Sequence, residues 1–254
     1  MDLNRNAFKH AIAAGTRQIG FWCSLGSNIG AEILADSGFD WLLFDMEHTP
    51  VDLADLVVQM QAAATGTATP IVRPPWNDTV MIKRVLDAGT QTILIPFVQT
   101  PEEAAEAAAA SYYPPKGIRG TAGSARSSRY GRVKNYLKTA DSEICVLVQI
   151  ETGESLEKID EIAAVEGIDG VFIGPSDLAA SLGHIGDRSN PDVQAAIRHA
   201  ADRLKAVGKP TGILAADPDD AERYIDWGYT FVAVGIDTGL LAKGADALVA
   251  RFKG

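Results

Sequence analysis

The stretch WLLFDMEHTP, residues 41–50, joins an apolar run directly to Asp45, Glu47 and His48. Large apolar side chains in an unbroken run are typical of a strand that is buried on both faces. A cluster of titratable groups at the end of such a run indicates a surface loop, a capped helix or a catalytic site. The choice depends on whether other apolar runs in the chain end in the same way.

Similar runs, rich in Val, Ile, Leu and Phe and bounded by Gly, Pro, Asp or Thr, recur along the whole chain. With 41–47, the predicted strands are residues 18–26, 69–74, 92–98, 143–151, 170–175, 211–215 and 231–236. Helical segments separate the strands, and most of them end at a Gly, which is the usual residue just past a helix C-terminus. These predicted helices are 28–38, 51–66, 77–89, 101–111, 155–167 and 191–208.

Apolar strands that alternate with helices predict an α/β protein with a parallel sheet, and eight such units fit a (β/α)8 TIM barrel. An open doubly wound sheet is the alternative, but SLGSNIG, residues 24–30, lacks the GxGxxG spacing that such a sheet usually carries. The chain shows no linker, low-complexity tract or internal repeat. We therefore expect a single barrel domain over 1–254, with a C-terminal helical segment that packs on a neighbouring subunit.

The charge balance excludes two classes of partner. The 254 residues carry a formal net charge of −10, which disfavours nucleic acid and anionic membrane surfaces. The N-terminus lacks the apolar stretch of a signal peptide, and no apolar run approaches the length of a membrane span. These features predict a cytoplasmic protein.

The barrel hypothesis predicts that polar groups collect where strands end, because active sites of such barrels lie there. Arg73 ends the third strand, Gln149 and Glu151 end the fifth, and Asp177 follows the sixth. Alternation along a strand turns Gln149 and Glu151 toward the barrel mouth. Glu151 and Asp177 could then share Mg²⁺ or Mn²⁺. Alternatively, Asp177 caps a helix while Glu151 pairs with an arginine.

Arg73 and His48 each allow two interpretations. A guanidinium at the barrel mouth suits a carboxylate or an enolate oxygen, or it forms an ion pair with Asp45 or Glu47. His48 could be a general base whose ring is polarised by Asp45, or it could be a structural histidine.

Residues 107–140 contain basic side chains and no acid. Because this segment belongs to the connection after the fourth strand, we expect it at the active end of the barrel. It would attract an anionic substrate, pack on an acidic neighbouring subunit, or form a solvated face. No lysine falls on a predicted strand, which disfavours a Schiff-base mechanism and favours activation by a metal ion.

Five motifs, in this order, resemble the HpcH/HpaI aldolase family, which comprises class II, metal-dependent pyruvate aldolases such as those acting on 4-hydroxy-2-oxoheptanedioate or 2-dehydro-3-deoxyglucarate. They are DMEHTP, RPPWND, YPPKGIRG, LVQIET and IGPSDLAASLG. The resemblance implies a (β/α)8 barrel that cleaves 4-hydroxy-2-oxo acids to pyruvate, or a related 2-oxo acid such as hydroxypyruvate, and an aldehyde through a metal-stabilised enolate. It also implies a homo-oligomer, trimer-based or hexameric, in which a neighbouring chain completes each site.

By the same resemblance, the site residues take specific roles. Glu151 and Asp177 would bind the divalent ion, which is Mg²⁺, Mn²⁺, Co²⁺ or another. Arg73 would hold the keto oxygen, and His48, paired with Asp45, would be the base. The substrate would contact a further set of residues, namely Gln149, Gly174, Ser176, Trp22, Leu214 and Ala215.

Two other functions remain open at this point. A related lyase that acts on acyl-CoA thioesters would need positive charge for a nucleotide tail, which residues 107–140 could supply. A non-catalytic barrel that binds an organic acid would keep Arg73 and the carboxylate grip but would have no need of His48.

Overall fold

Eight parallel strands close into a barrel in chain order in the computed structural model, which describes residues 1–253. Each of the eight predicted strands is confirmed, and most are a few residues shorter than predicted. The strands are β1 (Gln18–Cys23), β2 (Trp41–Asp45), β3 (Thr69–Arg73), β4 (Thr92–Ile95), β5 (Cys145–Ile150), β6 (Gly170–Ile173), β7 (Thr211–Leu214) and β8 (Phe231–Ile236). Pairing of β1 with β8 closes the ring, so the TIM-barrel prediction is confirmed and the open sheet is excluded.

Helices lie outside the ring and alternate with the strands. Those that precede β5 are α1 (Ala7–Ala13), α2 (Asn28–Ala35), α3 (Leu53–Ala63), α4 (Thr79–Asp87), α5 (Pro101–Ser111) and the short α6 (Tyr136–Thr139). Those that follow it are α7 (Gly153–Glu157), α8 (Ile159–Ala164), α9 (Pro175–Ser181), α10 (Pro191–Ala206), α11 (Pro218–Trp227) and α12 (Asp237–Lys253). The single helix predicted over 155–167 is interrupted at Lys158, where the backbone leaves helical geometry at φ −99° and ψ 11°.

Side-chain alternation along the strands produces two apolar layers. Leu43, Ile71 and Leu147 point inward and form a buried cluster inside the barrel with Phe172. Their neighbours in sequence point outward and pack against the helices in a larger buried cluster. An inward position therefore recurs every second residue, and the last inward position of a strand opens into the barrel mouth.

Helix α1 covers the N-terminal end of the barrel. Phe8 is fully buried and makes edge-to-face contacts with Trp41 and Phe231 at centroid distances of 5.9 and 5.5 Å. Asn6 caps α1 by accepting a hydrogen bond from the backbone N–H of Lys9. Because this end is filled by apolar side chains, the opposite end is left for a binding site.

The basic segment lies at the N-terminal end of the barrel, so the prediction that placed it at the active end is wrong. Arg126 donates to the carbonyl of Ala88, just past α4, at 2.7 Å, and Arg119 is fully buried beside Asp87. Gly120 lies against the Lys83 side chain on the flank of the same helix. The physical reason is topological: this segment follows α5, and a chain leaving a helix must return to the beginning of the next strand.

The C-terminal helix α12 projects from the barrel. Asp237 anchors its first turn, because its carboxylate accepts hydrogen bonds from the backbone N–H groups of Ser24 and Leu25 at 2.9 and 3.1 Å. Beyond Asp237 the helix buries no residue, and it exposes the large apolar side chains of Leu240, Leu241, Leu248, Val249 and Phe252. Over residues 1–253, no helix combines the length and apolar character that a bilayer span requires.

Candidate active site

Polar side chains occupy the inward positions that follow the inner apolar layer. Asp45 lies two residues after Leu43 on β2, and Arg73 lies two residues after Ile71 on β3. Asp45 and Arg73 are also partners in the β2–β3 register, so the two side chains emerge beside each other. Gln149 occupies the corresponding position on β5, two residues after Leu147. Strand periodicity alone therefore gathers these groups at the barrel mouth.

Asp45 and Arg73 form a buried bidentate ion pair. The Asp45 carboxylate accepts from Arg73 Nε at 2.8 Å and from Nη2 at 2.7 Å. Asp45 is 2% and Arg73 6% exposed. Burial acts to raise the pKa of Asp45, but the Arg73 guanidinium outweighs it and holds that pKa below its usual range. This pair is therefore charged and fixed in orientation.

Trp22, which lines the cavity, contacts both members of the Asp45–Arg73 pair. Its indole N–H donates to Asp45 Oδ2 at 3.3 Å, and the Arg73 guanidinium lies 4.8 Å from the centre of its ring. Its ring also packs against Phe172 at a centroid distance of 5.6 Å. The guanidinium is thus held by a carboxylate and by an aromatic face, which restricts it to one direction.

His48 does not pair with Asp45, contrary to the prediction, because both Asp45 oxygens are engaged by Arg73 and also by Trp22 and a backbone N–H. The nearest acidic partner of His48 is Glu47, whose Oε2 lies 3.7 Å from His48 Nε2. The same oxygen lies 2.8 Å from Arg73 Nη1, an ion pair without aligned hydrogen-bond geometry. His48 itself is exposed toward solvent.

Glu151 is a buried carboxyl group just past the end of β5. Gln149 Nε2 donates to its Oε2 at 2.6 Å, and the backbone N–H of Phe97 donates to its Oε1 at 2.8 Å. Burial, with smaller contributions from the negative charges of Asp177 and Glu47, raises the pKa of Glu151 to about 7. Burial likewise raises the pKa of Glu47. The environment of these two carboxyl groups therefore disfavours their ionised forms unless a cation is present.

Two backbone features make room for Glu151. A Cβ on Gly174, at the start of α9, would lie 2.4 Å from Glu151 Oε2 and 2.9 Å from Gln149 Nε2, so only glycine fits there. Phe97 has φ of 52°, in the left-handed region that non-glycine residues seldom adopt. That conformation accompanies the hydrogen bond from its N–H to the Glu151 carboxylate.

The donor set fits a hard divalent cation. Asp177, in the first turn of α9, is exposed to the cavity and close enough for its charge to raise the pKa values of both Glu151 and Glu47. Gln149 Oε1 is buried without a hydrogen-bond partner. Two carboxylates and an unsatisfied amide oxygen are ligands that Mg²⁺ and Mn²⁺ accept, with other positions left for water or substrate. Within residues 1–253, no three His, Cys, Asp or Glu side chains form a ready-made metal cluster.

A cavity of about 540 Å³ opens above these groups, in the size range of small-molecule sites. Of the predicted substrate contacts, Trp22, Gln149, Gly174, Ser176 and Leu214 line it. Ala215 does not line the cavity and is instead buried in the outer apolar layer, because alternation turns it away from the side that Leu214 faces.

Arg73 pairs with both of the acids that the sequence offered as alternatives, Asp45 and Glu47. Two other contributors were not predicted from the sequence. Phe97 contributes a backbone N–H, which no side-chain motif reveals. Arg188, in the loop between α9 and α10, lines the cavity, and its basic character beside the motif that ends at Gly183 was the available signal. None of the eight strands contains a lysine.

Comparisons with known proteins agree on one family. Residues 18–244 match the family model described as HpcH/HpaI aldolase/citrate lyase. The chain is 54% identical to the pyruvate aldolase of Rhizobium etli over 99% of both chains. It is 52% identical to the 4-hydroxy-2-oxo-heptane-1,7-dioate aldolase of Shigella sonnei, over 97% of this chain and 95% of that one.

A solved structure gives the same result. The crystal structure of an HpcH/HpaI aldolase/citrate lyase family protein from Burkholderia cenocepacia aligns with a TM-score of 0.95 at 37% identity, covering 98% of this chain and all of that one. The match extends over the barrel and the flanking helices alike. The chain therefore belongs to the HpcH/HpaI aldolase/citrate lyase family.

Proposed function

We propose that this protein is a divalent-metal-dependent aldolase that reversibly cleaves 4-hydroxy-2-oxo acids into pyruvate, or a related 2-oxo acid, and an aldehyde. The observation that carries the proposal is a pair of carboxylates beside the fixed guanidinium of Arg73. Asp177 lines the same cavity as Arg73 and Gln149, and Glu151, which accepts a hydrogen bond from Gln149, lies close enough for the charge of Asp177 to raise its pKa. The relatives named as aldolases support the same reaction class.

Glu151 and Asp177 would hold Mg²⁺ or Mn²⁺, and other divalent ions that accept oxygen ligands, such as Co²⁺, fit the same donors. When bound, such an ion supplies Lewis acidity to the 2-oxo acid and so favours formation of an enolate. Gln149 keeps Glu151 in place by donating to it, and its free Oε1 faces the same region. Gly174 leaves the space that both side chains need.

Arg73 would bind the keto oxygen of the substrate and stabilise the negative charge that develops there in the enolate. Its ion pairs with Asp45 and Glu47 hold the guanidinium in place before substrate arrives, so that little reorganisation is needed. Asp45 is then a positioning residue for Arg73 and not a partner of the base.

His48 would move the proton. In cleavage it accepts the proton of the C4 hydroxyl while the C3–C4 bond breaks, and the electron pair of that bond passes to the enolate as the aldehyde forms. Protonation of C3 then gives pyruvate. Glu47, 3.7 Å from the ring, would stabilise the protonated imidazole.

The substrate carboxylate would bind at the start of α9, at the backbone N–H groups of Ser176 and Asp177 in its first turn. Gly174 would contribute space there and not a donor, because its own N–H donates to the carbonyl of Ile150 at 3.0 Å. Trp22 and Leu214 would form the apolar wall. The alternative of an acyl-CoA lyase is disfavoured. It depended on positive charge from residues 107–140, and this basic segment lies at the other end of the barrel from the cavity.

Chelation and trapping experiments test the proposal. EDTA is expected to abolish cleavage of 4-hydroxy-2-oxo acids, and Mg²⁺ or Mn²⁺ to restore it, while borohydride with pyruvate labels no lysine. His48→Ala and Asp177→Asn are expected to lower kcat/KM by about 100-fold or more, as loss of a general base or of an electrostatic partner does. Full activity in either variant would contradict the assignment, and retained ligand binding without any exchange of pyruvate C3 protons would indicate a non-catalytic barrel.

We further propose a homo-oligomer in which α12 packs on a second copy of this chain. The support is a helix that exposes five large apolar side chains while only its first residue is buried. Leu241 and Leu248 are spaced two turns apart and share one face of the helix. Light scattering of the double variant Leu241→Lys/Leu248→Lys should give a smaller species, whereas Asp246→Lys on the same helix should leave the mass unchanged. An unchanged mass in the double variant would refute the proposal.

A further inference from the structure

A second cavity, of about 530 Å³, lies at the N-terminal end of the barrel. Gly89 and Gln91, which connect α4 to the beginning of β4, form part of its lining. Of the residues that the structure describes, none lines both this cavity and the one at the barrel mouth. Its volume is in the range of small-molecule sites, and the function proposed above makes no use of it.

Three arginines, Arg126, Arg129 and Arg132, line this second cavity, which we call the arginine cavity. Among residues 1–253, no acidic side chain lines it, although the chain carries a formal net charge of −10. The ion pairs formed within the same range leave all three guanidinium groups out. Arg126 donates instead to the backbone carbonyl of Ala88 at 2.7 Å. The positive charge of the cavity is therefore not balanced by a carboxylate.

Ser127 adds a polar atom that has no partner. The residue lines the arginine cavity, and its Oγ is buried without a hydrogen bond to any part of the chain that the structure describes. Most buried hydroxyl groups in folded proteins are paired, because leaving one unpaired is costly. A hydroxyl that lacks an acceptor beside three guanidinium groups indicates that the acceptor is an oxygen of an anionic ligand.

The backbone that carries these side chains has an unusual and fixed conformation. Arg129, Tyr130 and Gly131 have φ of 50°, 57° and 82°, in the left-handed region that non-glycine residues seldom adopt. Ser128 stabilises this turn, because its buried hydroxyl accepts from the N–H of Gly131 at 2.9 Å and donates to the carbonyl of Ala125 at 2.9 Å. Consecutive residues in such a conformation are typical of a site in which side-chain direction matters.

We propose that the arginine cavity binds a small organic anion that carries at least two negative charges, as phosphoryl or carboxylate groups. Guanidinium groups pair with the oxygens of both through two parallel hydrogen bonds. Val133 and Tyr136, which are buried and line the same cavity, would contact the carbon skeleton of the ligand. Because this cavity is separate from the barrel mouth, binding there does not depend on the proposed aldolase function.

Calorimetry with two probes tests the proposal and distinguishes the two chemistries. Pyrophosphate and tricarballylate are titrated into wild type in EDTA, so that no divalent ion can hold either probe at the barrel mouth. At about 0.15 M NaCl, at least one probe is expected to bind with a dissociation constant below about 1 mM. The tighter probe identifies the preferred group, and failure of both to bind at millimolar concentration would refute the proposal.

Substitutions then locate the binding site. Arg129→Gln and Arg132→Gln should each weaken binding of the tighter probe by about 10-fold, the size of one charge-assisted hydrogen bond. The matched control is Arg17→Gln, which removes the same charge from an exposed position just before β1, at the same end of the barrel but outside the cavity lining. It should change binding by less than about 2-fold, since exposed charges are screened by salt. Equal weakening in Arg17→Gln would refute a specific site.

An interface between copies of this chain is the competing explanation for the unbalanced arginines. Light scattering of the double variant Arg129→Gln/Arg132→Gln should give the mass of wild type. A smaller species would assign the arginines to contacts with a neighbouring copy and would overturn the proposal.

Ser127→Ala gives a result that a purely structural role would not produce. Because the Ser127 hydroxyl bonds nothing in the free protein, its removal should leave the urea midpoint of unfolding unchanged. In the complex the same change removes a hydrogen bond to the anion and should weaken binding by about 5-fold. A lower midpoint with unchanged binding would contradict the assignment of Ser127 to the site.

Discussion

Replacing Glu151 by Gln is expected to stabilise the metal-free protein at alkaline pH, although it removes a proposed metal ligand. Burial beside Asp177 and Glu47 raises the pKa of Glu151 from 4.5 to about 7. Because the folded protein binds this proton more tightly than the unfolded chain does, the contribution of Glu151 to stability is greatest below pH 4.5. It is lost as the pH rises through about 7.

The pKa change sets the magnitude. Relative to its value below pH 4.5, the free energy of unfolding is lowered by the raised pKa of Glu151 by about 3 kcal/mol at pH 8.5 and by about 1 kcal/mol at pH 5.5. A neutral glutamine does not carry this cost. The glutamine side chain also finds a hydrogen-bond partner at position 151. Gln149 Oε1 has no partner, and after an amide flip of Gln149 this oxygen would accept from the side-chain NH₂ of the new glutamine.

Urea unfolding in EDTA at the two pH values is the assay. Glu151→Gln should exceed wild type by about 3 kcal/mol at pH 8.5, and by clearly less at pH 5.5, at an unchanged m-value. Glu157→Gln, which removes an exposed carboxylate from α7, is the control and should shift stability by less than about 0.5 kcal/mol. A Glu151→Gln variant that is less stable than wild type at pH 8.5 would refute the reasoning, as would an advantage that does not grow with pH.

Two further substitutions test the geometry of the site. Gly174→Ala places a Cβ within 2.4 Å of Glu151 Oε2 and should weaken Mn²⁺ binding, measured by calorimetry, by at least about 10-fold, whereas Gly239→Ala, with open space around it, should not. Arg73→Met leaves Asp45 buried with an unpaired charge and should lower the free energy of unfolding in urea by about 3–5 kcal/mol at pH 8. A smaller loss near pH 3, where Asp45 can be protonated, is also expected, and a loss that does not depend on pH would contradict the ion-pair explanation.

Strand periodicity predicted which residues reach the barrel mouth, because the side-chain repeat of a strand is set by the backbone alone. Gln149 was predicted from it directly, whereas Arg73 was placed by its position at a strand end and Trp22 by the family resemblance. The same rule excludes Ala215, since adjacent strand residues cannot both face the cavity. The helix α11 was not predicted, although Asp217 before it, Pro218 at its first position and Gly228 after it are standard signals of helix ends.

Partnerships between titratable groups could not be predicted from the sequence, because they depend on which rotamers meet in three dimensions. Asp45, which ends β2, has two candidate partners. His48 lies three residues farther along the chain, and Arg73 ends the next strand, β3. The in-register pairing of β2 with β3 places Arg73 directly beside Asp45, and a guanidinium satisfies both carboxylate oxygens at once, which an imidazole cannot do. His48, three residues farther along, is carried past the end of the sheet and remains exposed.

The position of the basic segment shows a different limit. Its composition was read correctly, but its side of the barrel depends on whether it follows a strand or a helix, and α5 intervenes between β4 and the first basic residue.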